Sequence, residues 1–107
     1  MTNLAQMMQK AQEMKTKMAE MQQKVMEMDI SGESGAGMVN VTMNGRGELR
    51  SLKLEPGIVN PDDVEVLEDL IIAAVNDARK KAETIIADET ARIMEELGLP
   101  SNMDLPF

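Results

Sequence analysis

Between residues 4 and 28 the chain repeats apolar side chains so regularly that few structures can satisfy it. Leu4, Met7, Ala11, Met14, Met18, Met21, Val25 and Met28 are spaced alternately three and four residues apart, with no Gly or Pro between them. That spacing lays a narrow apolar stripe along one side of an α-helix for more than three heptads, the pattern of a helix that packs along another helix. The charges beside it are equally regular. With Leu4 at position a, Lys10, Lys17 and Lys24 fall at g and Glu13, Glu20 and Glu27 at c, so the two signs alternate three and four residues apart. Such a ladder reads either as a solvated face of weak ion pairs or as a lysine stripe, joined by Lys15, that meets a phosphate backbone. The methionine seam reads as packing surface for another helix, or as an adaptable docking surface for a partner protein. A membrane-surface helix is disfavoured, because the polar face is balanced in charge and no Trp or Phe anchors it.

At 107 residues and 11.8 kDa the chain has room for one domain. It contains no His, Cys, Trp or Tyr, and Phe107 is its single aromatic residue among 12 methionines. A Cys/His zinc site, a thiolate nucleophile and a histidine base are therefore excluded. No Ser-x-x-Lys spacing offers an alternative nucleophile, so the chain is expected not to be an enzyme. A core without large rings is hard to stabilise alone, which points to oligomerisation. No stretch of about 18 apolar residues is present and no leader pattern opens the sequence, so a soluble, unexported protein of the cytoplasm is expected. The net charge is −8, and it is concentrated: residues 1–28 carry +1, residues 29–60 carry −1 and residues 61–107 carry −8.

Asp29-Ile30-Ser31-Gly32-Glu33-Ser34-Gly35-Ala36-Gly37 ends the first helix. Gly32 and Gly37 have phosphate-loop spacing, but Met38-Val39 follows where Lys and Ser or Thr are needed. A dinucleotide fingerprint lacks its third glycine, and a calcium loop begun at Asp29 would put Ser34 at the required Gly. A flexible bend or a bulged edge strand is the remaining reading. Alternation over 38–43 and 49–54, joined by Asn44-Gly45 and Gly47, predicts an antiparallel hairpin, with a third strand near 29–34. Asn60-Pro61-Asp62-Asp63 then predicts a helix over 61–97, with Asn60 as N-cap and Pro61 at N1, stopped by Gly98. Its apolar face runs through Val64, Leu67, Ile71, Ala74, Ala78, Ala82, Ile85, Ile93 and Leu97. Residues 70–75 are apolar all round, which suggests burial between two chains, with Leu70, Ile71, Ala74, Val75 and Ala78 as candidate interface residues. Residues 99–107 are expected to form a mobile tail. Asp62, Asp63 and Glu65 fit the helix dipole without a metal, and no metal or other cofactor is expected. Arg79-Lys80-Lys81 is the one basic run, either solvated or in contact with nucleic acid.

The order of these elements and several strings, among them Ser31-Gly32-Glu33-Ser34-Gly35-Ala36-Gly37-Met38-Val39, Val41-Thr42-Met43-Asn44-Gly45 and Leu67-Glu68-Asp69-Leu70-Ile71-Ile72-Ala73-Ala74-Val75-Asn76-Asp77-Ala78, closely resemble the YbaB/EbfC family of bacterial nucleoid-associated proteins. The Met/Gln/Lys-rich first helix and the ending Pro106-Phe107 are similar too. The resemblance implies an α+β protomer of α-β-β-β-α order, and a homodimer whose helices project like tweezers around double-stranded DNA. It also implies a place in the nucleoid and an influence on chromosome organisation or gene expression, with no small-molecule substrate and no membrane. DNA contacts of the family lie on the first and last helices, which makes Lys10, Lys15, Lys17, Lys24, Arg79, Lys80 and Lys81 the candidates here. A protein-interaction module built on the methionine seam, with no nucleic-acid role, is the alternative. Two copies would carry about −16 in total, a field against which phosphate binding must work.

Overall fold

The computed structural model describes residues 3–98, in the order α1 (Leu4–Glu27), β1 (Ile30–Ser34), β2 (Val39–Met43), β3 (Leu49–Leu54), a 3-10 turn (Pro56–Ile58) and α2 (Val64–Glu96). The α+β order is the one expected. The expectation for residues 99–107 lies outside the described residues. Asn3 caps α1 by accepting a hydrogen bond from Ala5 N–H at 3.0 Å, and with no helix breaker following, the heptad pattern carries the helix to Glu27.

The strands form one antiparallel sheet in the order β1-β2-β3. Val39, Val41 and Met43 turn one face inward, opposite Ser34, Gly32 and Ile30 on one side. On the other side Val39 and Val41 face Leu54 and Leu52, and a bulge at Thr42/Met43 makes Met43 pair with Leu49, skipping Arg50. The β1–β2 connection is a tight turn rather than the flexible bend the glycines suggested. Gly35, Ala36 and Gly37 all hold positive φ, at 59°, 55° and 89°, and glycine carries two of these three strained positions without a Cβ penalty.

Across this sheet lies α2, packed on β1 and β2. Ala74 and Ala78 are completely buried there, and Ala82 nearly so. Gly32 is what lets the backbones meet: a Cβ on it would come within 2.5 Å of the Ala78 nitrogen and closer still to the Ala74 carbonyl oxygen. Beyond the sheet α2 continues unbroken and meets α1, which runs antiparallel to it. Met18, Met21 and Val25 of α1 bury against Ile93 and Leu97 in a second core, which the half-buried Met28 joins to the one between α2 and the sheet. The result is elongated, 71 × 23 × 18 Å with a radius of gyration of 19.4 Å, where a compact chain of this length would have about 13 Å.

Two expectations need correction. The second helix begins at Val64, not at residue 61, and Asn60 is not its N-cap. Asn60 Oδ1 instead accepts from Asp62 N–H at 3.0 Å and Asp63 N–H bonds to the Asn60 carbonyl, a turn that uses the same cap-forming side chain one step earlier. In the β2–β3 turn, positive φ falls at Gly47 and not at Gly45. Gly45 is needed for space, because its N–H bonds to the Val25 carbonyl at 2.7 Å and a Cβ would strike Val25.

Candidate functional site

The antiparallel helix pair decides what the lysine ladder does. Because α1 and α2 run in opposite directions, Lys24 meets Glu89 at 3.2 Å and Lys17 meets Glu96 at 3.2 Å, seven residues apart on both helices. Arg92 stands between the two carboxylates and pairs with both, at 2.9 Å to Glu96 and closely to Glu89. Each glutamate thus uses both of its oxygens. The Arg92 guanidinium first, and the Lys24 ammonium second, hold the Glu89 carboxyl below the usual carboxylate range. Neither sequence reading of the ladder was complete: Lys17 and Lys24, each still about half exposed, pair with a carboxylate strip on the second helix of their own chain.

Toward its N-terminus α1 outruns α2. Leu4, Met7 and Met8 are well exposed, at 70%, 53% and 66% of their full surface, so only the seam from Met14 onward is covered by helix packing among the described residues. Lys10 and Lys15 lie on this projecting part, exposed and with no ion pair among the described residues. In the basic run, Arg79 and Lys80 are exposed, while Lys81 is tied down. Its ammonium donates to the Ser31 carbonyl at 3.1 Å and pairs with Asp77 at 3.2 Å. Asp77 in turn accepts from Glu33 N–H at 3.0 Å. Together they occupy backbone groups of β1 on the side away from β2, its open edge.

The candidate interface residues divide. Ala74 and Ala78 are already spent inside the chain against β1, which removes them from any surface between chains. Leu70, Ile71 and Val75 are half-buried at the margin of that core. Nearby, the apolar side of β3 is not covered by α2, leaving Leu52 42% exposed, and Val66 and Ile72 project from α2 at 56% and 57%. Asp62, Asp63 and Glu65 are all exposed at the head of α2. Among the described residues no cluster of His, Cys, Asp or Glu could hold a metal ion, and no helix is long and apolar enough to cross a membrane.

A sequence model of the YbaB/EbfC DNA-binding family matches residues 1–97. The chain belongs to that family. Among curated relatives, nucleoid-associated proteins of Paramagnetospirillum magneticum and Rhodospirillum centenum are 53% and 51% identical over 107 residues, covering 100% of both chains in each case. A nucleoid-associated protein of Rhizobium meliloti is 44% identical over the same span. The fold is similar to the crystal structure of an uncharacterized protein from Helicobacter pylori, with a TM-score of 0.77 at 24% identity, covering 88% of this chain and 99% of the other.

In this YbaB/EbfC chain the partners Glu89, Arg92 and Glu96 escaped the sequence reading. Their signal was present: Glu89 and Glu96 are seven residues apart, the same period as Lys17 and Lys24. Matching it requires knowing that the two helices pair antiparallel over this stretch, which no local pattern states.

Proposed function

We propose that this chain binds double-stranded DNA as a homodimer in the nucleoid of the cytoplasm, as a non-enzymatic protein that influences chromosome organisation or gene expression. Family membership supports DNA as the ligand. The observation that carries the reading to residues is the sorting of the cations. Lys10 and Lys15 project on an exposed helix end with no ion pair among the described residues, whereas Lys17, Lys24 and Lys81 are each paired with a carboxylate. A cation without an internal partner is the one that gains most from a phosphate, since no existing ion pair must be broken. Arg79 and Lys80 add a second exposed pair on α2. Contacts of this type position the protein on the duplex and read no bases, so unrelated sequences should bind with similar affinity.

Dimerisation is supported by the apolar surface the protomer leaves open. Leu52 on β3 and Val66 and Ile72 on α2 are exposed apolar side chains, and Leu70, Ile71 and Val75 are only half-buried; so much apolar surface left open on a small protomer suits burial against a second chain. The occupant is a second copy whose own surface is the same patch, as two-fold symmetry requires. Sedimentation at micromolar concentration should give twice 11.8 kDa, and Ile72→Asp should shift it to the monomer; a wild-type monomer contradicts the dimer. For the ligand, fluorescence anisotropy on two unrelated duplexes at low salt should show comparable binding, lost similarly on both for the Lys10→Gln/Lys15→Gln variant.

A second reading has one observation of its own. Leu4, Met7 and Met8 form an uncovered apolar strip on the same projecting helix end, which suits docking of a partner protein. Met7→Gln/Met8→Gln separates the two: it removes the apolar strip and adds no charge beside the lysines, so duplex binding should survive it.

A further inference from the structure

The groove between the two helices of the projecting pair is lined by Lys17, Glu20, Lys24, Glu89, Arg92 and Glu96 around Met21 and Ile93. Its three cations and three carboxylates cancel. The arrangement is not a random surface scatter, because the lysines and the glutamates repeat with the same seven-residue period and meet rung by rung at 3.2 Å. We propose that Glu89 and Glu96 stand in for phosphates in the unbound protein, holding Lys24 and Lys17 and so restraining its affinity for duplex DNA. This rests on the DNA-binding reading above and adds its regulation: two of the lysines are in reserve.

Three features support it. Both lysines remain about half exposed, 41% for Lys17 and 52% for Lys24, so a phosphate can reach them without unfolding the helix pair. Exposed ion pairs are individually weak, which makes exchange of a carboxylate for a phosphate feasible. Glu89, by contrast, is only 17% exposed and is fixed by Arg92, so it remains charged and in place to compete. While a lysine stays bound to its glutamate, the pair brings no net charge to the duplex, and it should not count in the salt dependence of binding. Each lysine released should add about 0.9 to the magnitude of the log K against log salt slope.

The test uses the full chain and a random-sequence duplex, titrated with salt. Glu89→Gln/Glu96→Gln keeps side-chain size and helix propensity. It should bind several-fold more tightly than wild type, with a slope steeper by at least about 1.8 per protomer for the two lysines released, about 3.6 for the dimer, Arg92 losing both its carboxylates with them. Glu96→Gln alone, at the exposed end of the helix pair, should give about half that change and cannot be blamed on misfolding. The decisive control is Glu55→Gln/Glu68→Gln, which alters the net charge equally at two exposed glutamates that form no ion pair among the described residues. Removing Lys17 and Lys24 from the Glu89→Gln/Glu96→Gln variant should cancel the lysines' share of its gain, leaving only what the unpaired Arg92 adds. An equal gain from the control pair, or an unchanged slope in Glu89→Gln/Glu96→Gln, overturns the proposal. Failure of the wild type to bind duplex at all overturns the DNA reading itself, and is a different result from either.

Discussion

At the scale of single residues, the fold depends on places where a side chain is missing or a polar group is doubly used. Gly32 sits where β1 and α2 touch backbone to backbone, and its obstacle to substitution is space, not φ. Gly32→Ala should therefore destabilise the protein by about 1–3 kcal/mol, the range for overpacking a fitted interior, read as a lower midpoint in urea. The sequence displayed this glycine inside a string that suggested phosphate loops, and nothing local said that a helix some 40 residues later would press on it. Asn44 was more legible as a turn former, although its use is richer than a turn signal implies. Buried in the β2–β3 turn, its Oδ1 accepts from the N–H groups of Arg46 and Glu48, both at 3.0 Å, and its amide donates to the Glu48 carboxylate. Titration follows from two carboxylates. Asp77 is held below the usual range by the Glu33 N–H first and Lys81 second, and Glu89 by Arg92 first. A pKa lowered in the folded state contributes stability that is present above the unfolded value and lost as the pH falls through the folded one. The thermal midpoint should thus drop as pH falls below the ordinary carboxylate range of about 4, and Asp77→Asn should make that drop shallower.

Elements were legible where one period ran unbroken and obscure where a tertiary partner chose between local options. The heptad seam gave α1 almost to the residue, and the alternation of 38–43 and 49–54 gave the hairpin. At Asn60-Pro61 the capping chemistry was real but was used for a turn, so α2 starts three residues late. The seam's partner was also only half readable: a helix was expected, and α2 of the same chain supplies it for Met18, Met21 and Val25, while Leu4 and Met7 remain uncovered. Helices in proteins owe most of their stability to packing of an apolar face, and the buried residues of α1, Met18, Met21 and Val25, all lie in that second core. Met21→Asp, placing an unpaired charge in it, should melt α1 while leaving the α2–sheet core intact. Far-UV dichroism should lose helix, and amide exchange in β1 and β2 should stay slow. Cooperative loss of the strands together with the helix would contradict the independence of the two cores. The open edge of β1 has its own guard, since Asp77 and Lys81 occupy Glu33 N–H and the Ser31 carbonyl and so obstruct pairing with another strand.

For the whole molecule, an acidic protein of net charge −8 is reconciled with a polyanionic ligand by where the charges lie. Much of the acidity is on α2, and part of it is consumed in the pairs with Lys17, Lys24, Lys81 and Arg92. The projecting end of α1 retains Lys10 and Lys15. That separation was visible in the sequence as an uneven charge profile. Which lysines were committed was not visible, because pairing across two helices is a property of their direction and register. If α1 grips phosphates with its uncommitted lysines, their charge must appear in the salt dependence of duplex binding. Wild type should give a linear log K against log salt plot, and Lys10→Gln/Lys15→Gln should reduce the magnitude of its slope by about 1.8 per protomer, about 3.6 for a dimer that engages the duplex with both, with the fold and oligomeric state unchanged. An identical slope in the variant, or no binding by the wild type at low salt, would contradict the account.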